Sequence, residues 1–170
     1  MYTLEHTTFI IPFKADSDFR LRNLNITVNY ILKNFARASI IVGEEDYAPR
    51  VHSLFANMSM SRVRYLFNMQ STPFFYRTKL LNKMLKMVET PVVCNYDCDV
   101  LLQTEQYVMA EEEITSGEHD FVYPYDQMYD TGDIPQGKDI IEAASIDADI
   151  SKYRGYRKTF QIQKIRIFSW

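Results

Sequence analysis

The stretch PVVCNYDCD, residues 91–99, decides the fold prediction because a continuous apolar run leads directly into two carboxylates. A short apolar run of this kind is typical of a strand that is buried on both faces of a sheet. Three further runs precede it and one follows, at 8–13, 39–43, 64–67 and 120–125. We expect the first of these strands to end at Pro12, which cannot donate to a strand ladder.

The segments between these runs carry apolar residues at three- and four-residue steps, the pattern of helices with one buried face. We predict a first helix capped by Asp16 or Ser17, a second after Pro49, a third between the third and fourth strands, and a fourth at 103–115. The expected core positions of the third helix are Leu80, Leu81, Met84, Leu85 and Val88. A helix at 138–150 and a strand at 161–168 are also expected.

The alternation of strands and helices predicts the α/β class, as a three-layer α/β/α sandwich with a mainly parallel sheet. In such sheets the ligand lies beyond the carboxyl ends of the strands. Three segments follow predicted strand ends and should converge there: Pro12 with Phe13, Glu44 to Asp46, and Asp97 to Asp99.

Asp97 and Asp99 form the candidate metal site. In an extended chain two residues this far apart point to the same side, and Asn95 falls on that side as well. Two carboxylates can hold Mg²⁺ or Mn²⁺, with water and phosphate oxygens completing the coordination. The alternative is that both aspartates only cap the turn that follows the strand.

A family resemblance joins these pieces. Residues 77–83 (RTKLLNK), the helix they begin, and the strand ending in Asp97-Cys98-Asp99 resemble the core of GT-A glycosyltransferases. Residues 8–13 (TFIIPF) resemble the first strand of that family, and Arg22-Asn23-Leu24 fits its inverting, family-2-like branch. Residues 121–126 (FVYPYD) resemble the strand after the metal motif. The resemblance covers roughly residues 7–127.

The resemblance implies a site for a nucleotide-diphosphate sugar, most simply a UDP-sugar, with Mn²⁺ or Mg²⁺ as cofactor. The base would lie against Ile11, Pro12 and Phe13, and Glu44 or Asp46 would accept a hydrogen bond from uracil or ribose. Arg77 and Lys83 would face the phosphates, although both also fit a solvated helix face. Asn95 and Asp97 would contact ribose or sugar, and Asp97 and Asp99 would be the metal ligands.

The implied function is a metal-dependent, inverting glycosyltransferase that transfers the sugar to an acceptor hydroxyl. The family's Gly-Gly strand and its Glu-Asp-type motif, which supplies a catalytic base, have no counterpart in this sequence, so the catalytic base is unknown. The alternative is therefore a non-catalytic nucleotide-sugar-binding module. We expect a nucleotide-sugar-binding domain at 1–127 and a minimal or truncated acceptor-side region at 128–170, in the same globule. A nucleotidyltransferase is disfavoured, because no Gly-rich basic loop follows the first strand.

Composition and charge limit the classes of partner that the protein is expected to bind. Residues 151–170 contain six basic residues and no acid, whereas the whole chain of 170 residues has a net charge of −3. The acidic body argues against a nucleic-acid partner. Cys94 and Cys98 lack the spacing of a zinc site and are expected to be reduced thiols of a cytoplasmic protein. No apolar run is long enough to predict a signal peptide or a membrane span.

Overall fold

The computed structural model describes residues 1–55 and 61–125. The strands are β1 (Tyr2–Thr3), β2 (Thr7–Phe13), β3 (Phe35–Ala36), β4 (Ser39–Asp46), β5 (Val63–Met69) and β6 (Val92–Asn95). The helices are α1 (Asp18–Asn34), α2 (His52–Phe55), α3 (Arg77–Leu85) and α4 (Thr104–Thr115). The chain divides into two compact units: the first comprises Met1 and Thr3–Leu101, and the second comprises Tyr2 and the residues from Leu102 onward.

The first unit is built on a four-stranded sheet with the order β5-β4-β2-β6. All three strand pairs are parallel, and the sheet with its helices confirms the predicted α/β class. Every residue of β2 is buried, as expected for a central strand of a sheet that is covered on both faces.

The prediction that the first strand ends at Pro12 was wrong, because β2 continues to Phe13 and pairs Pro12 with Gly43 of β4. The neighbouring strand β6 explains how a proline is tolerated there. The Ile10 carbonyl faces β6 and accepts the Tyr96 N–H at 3.0 Å, where the pairing with β6 ends. The backbone groups of alternate strand residues point to the same edge of the strand, so the backbone nitrogen of Pro12 also points to the side of β6. At that level β6 has already ended. The missing N–H of Pro12 therefore costs no ladder bond.

Strand β4, predicted at 39–43, is also longer than predicted. Glu44, Glu45 and Asp46 were expected to follow the strand, but they form its last three residues, and the two glutamates are buried. Such burial is tolerated because each carboxylate receives hydrogen bonds from distant groups. Glu45 accepts from the Asn68 side chain at 2.6 Å and from the Tyr76 N–H at 2.5 Å.

Helix α1 begins as predicted, with Ser17 as its N-cap. The Ser17 hydroxyl accepts the Arg20 N–H at 3.3 Å, which satisfies one of the free amides of the first turn. Its buried face includes Leu24, Val28 and Ile31. The Arg20 guanidinium lies 5.7 Å from the centre of the Phe13 ring. Helix α1 therefore lies against the sheet face that carries Phe13.

Helix α3 packs on the opposite face of the sheet. Its Leu80 and Met84 form a buried cluster with Ile10 and Ile41 of β2 and β4. Leu85, predicted to be a core residue, is 45% exposed instead. Leu85 directly follows Met84, and one residue along a helix turns the side chain by about 100°, away from the face that carries Leu80 and Met84.

We expect Gly43→Ala to destabilise the protein by about 1–3 kcal/mol, as overpacking of a tight core does. A methyl group at Gly43 would lie 2.5 Å from the Met84 sulfur, which is fully buried and has little room to move. Urea denaturation measures the effect, and the same substitution in a Met84→Ala background is the control. If Gly43→Ala is equally harmful in both backgrounds, the contact with Met84 is not the cause.

The second unit contains α4, close to the predicted helix at 103–115. The predicted fifth strand at 120–125 is wrong, because the structure assigns no strand to these residues. Their rings meet edge-on instead, with the ring centres of Phe121 and Tyr123 4.7 Å apart, and the side chains of Phe121, Tyr123 and Tyr125 are all exposed. No pairing partner for this segment exists among the described strands.

Several predictions fall outside the described residues, namely the helix at 138–150, the strand at 161–168 and the boundary after residue 127. The described part of the second helix, α2, begins at His52, shortly after Pro49 as predicted. None of the described helices combines the length and the apolar character that crossing a membrane requires.

Candidate functional site

The order of the strands indicates where a ligand would bind. From β2 the chain adds β4 and then β5 on one side, and later returns to add β6 on the other side of β2. In open parallel sheets such a reversal leaves a crevice at the carboxyl ends of the two strands that flank it. In this sheet the reversal falls between β2 and β6, whose carboxyl ends lie next to Pro12 and Asp97.

The loop that follows β6 is held firmly against the sheet. The Tyr96 ring stands edge-on to Phe9 of β2, with ring centres 5.5 Å apart. The Tyr96 hydroxyl donates to the Val100 carbonyl at 2.7 Å and closes the loop over itself. Cys98 is buried, and its carbonyl accepts the Thr27 hydroxyl of α1 at 2.9 Å.

This anchoring exposes the two aspartates on either side of Cys98. The segment was expected to be extended, but Cys98 and Asp99 lie in a turn. Solvent nevertheless reaches both carboxylates while the thiol between them faces the core. The buried Cys98 side chain fixes the turn, and this leaves the Asp97 and Asp99 carboxylates in solvent although the chain is not extended.

Arg77, the first residue of α3, contacts the same loop. One guanidinium nitrogen lies 2.7 Å from an Asp97 carboxylate oxygen and 3.3 Å from the side-chain oxygen of Asn95. The side chains are 40% and 59% exposed for Arg77 and Asp97, so the pair is a surface ion pair worth no more than about 1 kcal/mol. The Asp99 carboxylate makes no hydrogen bond or ion pair with another described residue, which leaves it available to a cation.

The structure places Glu44, which the resemblance implied as an acceptor for uracil or ribose, inside the protein. Its carboxylate is fully buried and accepts the Arg50 N–H at 3.0 Å, the Val51 N–H at 3.2 Å and the Tyr65 hydroxyl. Burial and the hydrogen bond to Glu44 raise the pKa of Tyr65 well above its usual value, so this hydroxyl stays protonated and donates. Because these bonds use the carboxylate within the protein, we do not include Glu44 in the proposed site.

The remaining predicted site residues are divided between surface and core. Ile11, Pro12 and Phe13 are buried in β2. Asp46 accepts the Tyr47 N–H at 2.8 Å and is only partly buried. Lys83 donates to the Asn68 side chain of β5, away from Asp97 and Asn95.

An aromatic loop that was not predicted from the sequence leads into α3. Lys14 follows β2 directly, and its ammonium donates to the Pro73 carbonyl at 2.5 Å, which ties this loop to the carboxyl end of β2. Phe74 and Tyr76 expose 65% and 45% of their surface, and their ring centres are 6.4 Å apart. The signal was the consecutive aromatic residues immediately before Arg77.

We expect both cysteines to resist thiol reagents in the native state. Burial raises the pKa of Cys94 to about 12 and that of Cys98 to about 11. At pH 8 the reactive thiolate of either residue is therefore at most about one in a thousand, far below that of an unfolded chain. Ellman's reagent should modify both thiols only after denaturant is added. Rapid reaction of the native protein would contradict this environment.

No protein-family model matches this chain, and no curated protein has a sequence similar enough to match it. The function has to be inferred from the arrangement of the chain's own residues.

Proposed function

We propose that the first unit is a nucleotide-diphosphate-sugar-binding domain of the GT-A type, a three-layer α/β/α sandwich, and that the protein is a metal-dependent glycosyltransferase. One observation carries the proposal: two exposed aspartates, one of them paired with an arginine, lie at the point where the strand order of a parallel sheet reverses. This is the position at which such sheets bind nucleotides.

The donor set suits a hard divalent cation. Asp99 has a carboxylate without a hydrogen-bond or ion-pair partner among the described residues, Asp97 has a second carboxylate of which Arg77 engages one oxygen, and Asn95 adds an amide oxygen nearby. Mg²⁺ is usually held by one or two carboxylates together with phosphate oxygens. When bound, Mg²⁺ or Mn²⁺ would act as a Lewis acid that stabilises the charge of the departing diphosphate.

Arg77 is the residue best suited to hold the diphosphate. Its ion pair with Asp97 is exposed and weak, so a phosphate group can replace the carboxylate at small energetic cost. A guanidinium also binds two phosphate oxygens at once, which a lysine cannot do.

Phe74 and Tyr76 are suited to stack on the base, since exposed aromatic faces bind bases through stacking worth about 1–3 kcal/mol each. The hydrogen bond from Lys14 to Pro73 keeps these rings near the end of β2. Ile11, Pro12 and Phe13 are buried in β2 and support the site from below. Their side chains need not contact the ligand.

In the proposed reaction an acceptor hydroxyl forms a bond to the anomeric carbon, and the bond from that carbon to the diphosphate oxygen breaks. The hydroxyl proton passes to a base whose identity is unknown, and the electron pair of the broken bond leaves with the nucleoside diphosphate. Attack from the side opposite the leaving group inverts the anomeric configuration, as the family-2-like resemblance implies.

A non-catalytic binding module is the second candidate, because the sequence contains no counterpart of the family's Glu-Asp-type base motif. Incubation with UDP-sugars and Mn²⁺ separates the two candidates. Release of UDP supports the enzyme, whereas tight binding without release supports the module.

Isothermal titration calorimetry with UDP tests the donor site directly. We expect saturable binding in the presence of Mn²⁺ and a large loss of affinity after chelation of the metal with EDTA. If the folded protein binds no UDP in the presence of Mn²⁺, the proposed site is wrong for both candidates.

A further inference from the structure

Three potential metal ligands converge just after helix α4, in the second unit. Glu113, Glu118 and His119 each offer one ligand atom, and these atoms lie within 4.8 Å of one another. Gly117 makes the convergence possible: it adopts φ 78°, a left-handed conformation that reverses the chain after the helix. Glu118 and His119 are thereby folded back towards Glu113 in the last turn of α4.

Two of these side chains already form a shielded pair. The Nδ1 atom of His119 lies 2.9 Å from a carboxylate oxygen of Glu113, and the side chains are only 15% and 26% exposed. Glu118 is exposed, and its ligand atom lies within 4.8 Å of the other two. The imidazole and the first carboxylate are therefore held in place by the protein, and the third group can close over a bound ion.

The charges around this point favour a cation. Residues 102–125 contain no lysine or arginine, and the last turn of α4 has no basic residue. The carbonyl end of a helix carries a partial negative charge, to which Glu113 and Glu118 add their own. Negative side chains near a helix C-terminus are destabilising, because that end of the helix is already negative. Within the described residues no basic side chain of this segment offsets them.

We propose that Glu113, Glu118 and His119 bind a divalent transition-metal ion, with Zn²⁺ as the best-suited ion. One imidazole nitrogen and two carboxylate oxygens are common zinc ligands, at about 2.0–2.2 Å from the metal. Two ligand atoms at that distance in a tetrahedral site are about 3.3–3.6 Å apart, so the 2.9 Å contact has to open only slightly. Three protein ligands leave a fourth position for water or another donor.

This site is separate in chemistry from the one proposed at Asp97 and Asp99. The imidazole nitrogen selects borderline ions such as Zn²⁺, whereas carboxylates with phosphate favour Mg²⁺ or Mn²⁺. A bound ion would fasten the segment after Gly117 to the end of α4. The inference does not depend on the proposed function, because it needs neither nucleotide nor sugar transfer.

The test is Zn²⁺ titration of the full chain against a chromophoric chelator, in an Asp99→Ala background that weakens the other candidate site. We expect one Zn²⁺ per chain, and a loss of affinity of more than about 10-fold in both His119→Ala and Glu113→Gln. Glu112→Gln is the matched control, since it removes the same charge from the neighbouring, exposed residue of the helix without touching the cluster.

Circular dichroism of the metal-free variants shows whether the fold is kept, and Glu113→Gln preserves the size of the side chain. Absence of saturable Zn²⁺ binding in the Asp99→Ala background would overturn the proposal. Equal losses in Glu112→Gln and Glu113→Gln would also overturn it, since a diffuse acidic surface would then explain the binding. Failure of UDP to bind with Mn²⁺ would leave these outcomes unchanged, so the two proposals are tested independently.

Discussion

Glu44→Ala should lower the free energy of unfolding by about 3 kcal/mol or more, the largest effect on stability that we expect from a single substitution. The carboxylate is completely buried and accepts hydrogen bonds from the Arg50 and Val51 amides and from the Tyr65 hydroxyl. Alanine leaves these donors without their acceptor inside the protein. Equilibrium unfolding in urea, followed by circular dichroism, measures the loss.

Glu89→Ala is the control for Glu44→Ala. It makes the same substitution at a side chain that is 83% exposed and paired with Arg64 at 2.9 Å, so its cost should stay below about 1 kcal/mol. Tyr65→Phe removes only one donor and should have an intermediate effect. If Glu44→Ala proves as mild as Glu89→Ala, the carboxylate is not the structural acceptor that we describe.

Asp99→Ala is expected to reduce the affinity for UDP in the presence of Mn²⁺ by more than about 100-fold, while leaving stability nearly unchanged. The Asp99 side chain is exposed and makes no hydrogen bond or ion pair with a described residue, so its removal costs the fold little. Its role in the proposal is direct ligation of the metal, and loss of a ligand should exceed the 10- to 100-fold effect of changes around a metal site. Calorimetry of the variant with and without Mn²⁺ measures the change.

Glu5→Ala is the matched control for Asp99→Ala. It removes one negative charge two residues before β2, at the amino end of the sheet, where only a surface ion pair with Arg37 is lost. UDP binding should be unaffected in this variant. Similar losses in Glu5→Ala and Asp99→Ala would indicate a general electrostatic effect and would refute ligation by Asp99.

The local pattern of the sequence predicted most elements of the first unit. Continuous apolar runs identified β2, β4, β5 and β6, and Ser17 marked the start of α1. The position of Asp97 and Asp99 just after β6 was likewise predicted correctly. These features depend on residues that are neighbours in sequence, and periodicity and capping report such neighbours well.

Features that depend on distant residues escaped the prediction. Glu44 and Glu45 looked like loop residues because three of their hydrogen-bond donors, Tyr65, Asn68 and Tyr76, lie more than twenty residues away, although Glu44 also accepts from the nearer amides of Arg50 and Val51. A carboxylate is a poor strand residue until such donors are in place, and nothing local announces them.

The opposite error occurred at 120–125. Its alternating aromatic residues fit a strand pattern, yet a strand exists only where a partner with free backbone groups adjoins it. The ligand cluster at Glu113, Glu118 and His119 was missed for a related reason, since His119 follows a helix end and only the φ of Gly117 brings it back.

The position of β6 has a consequence for the dynamics of the site. Among the described strands it has one neighbour and four residues, whereas β2 is paired on both sides. Short outer strands open most readily, without unfolding of the rest, so backbone amides of β6 should exchange with deuterium faster than those of β2. Since this opening would carry Asn95 and Asp97 away from Arg77, a ligand held by all three should slow the exchange. Ligand affinity would then include the free energy needed to keep this outer strand closed.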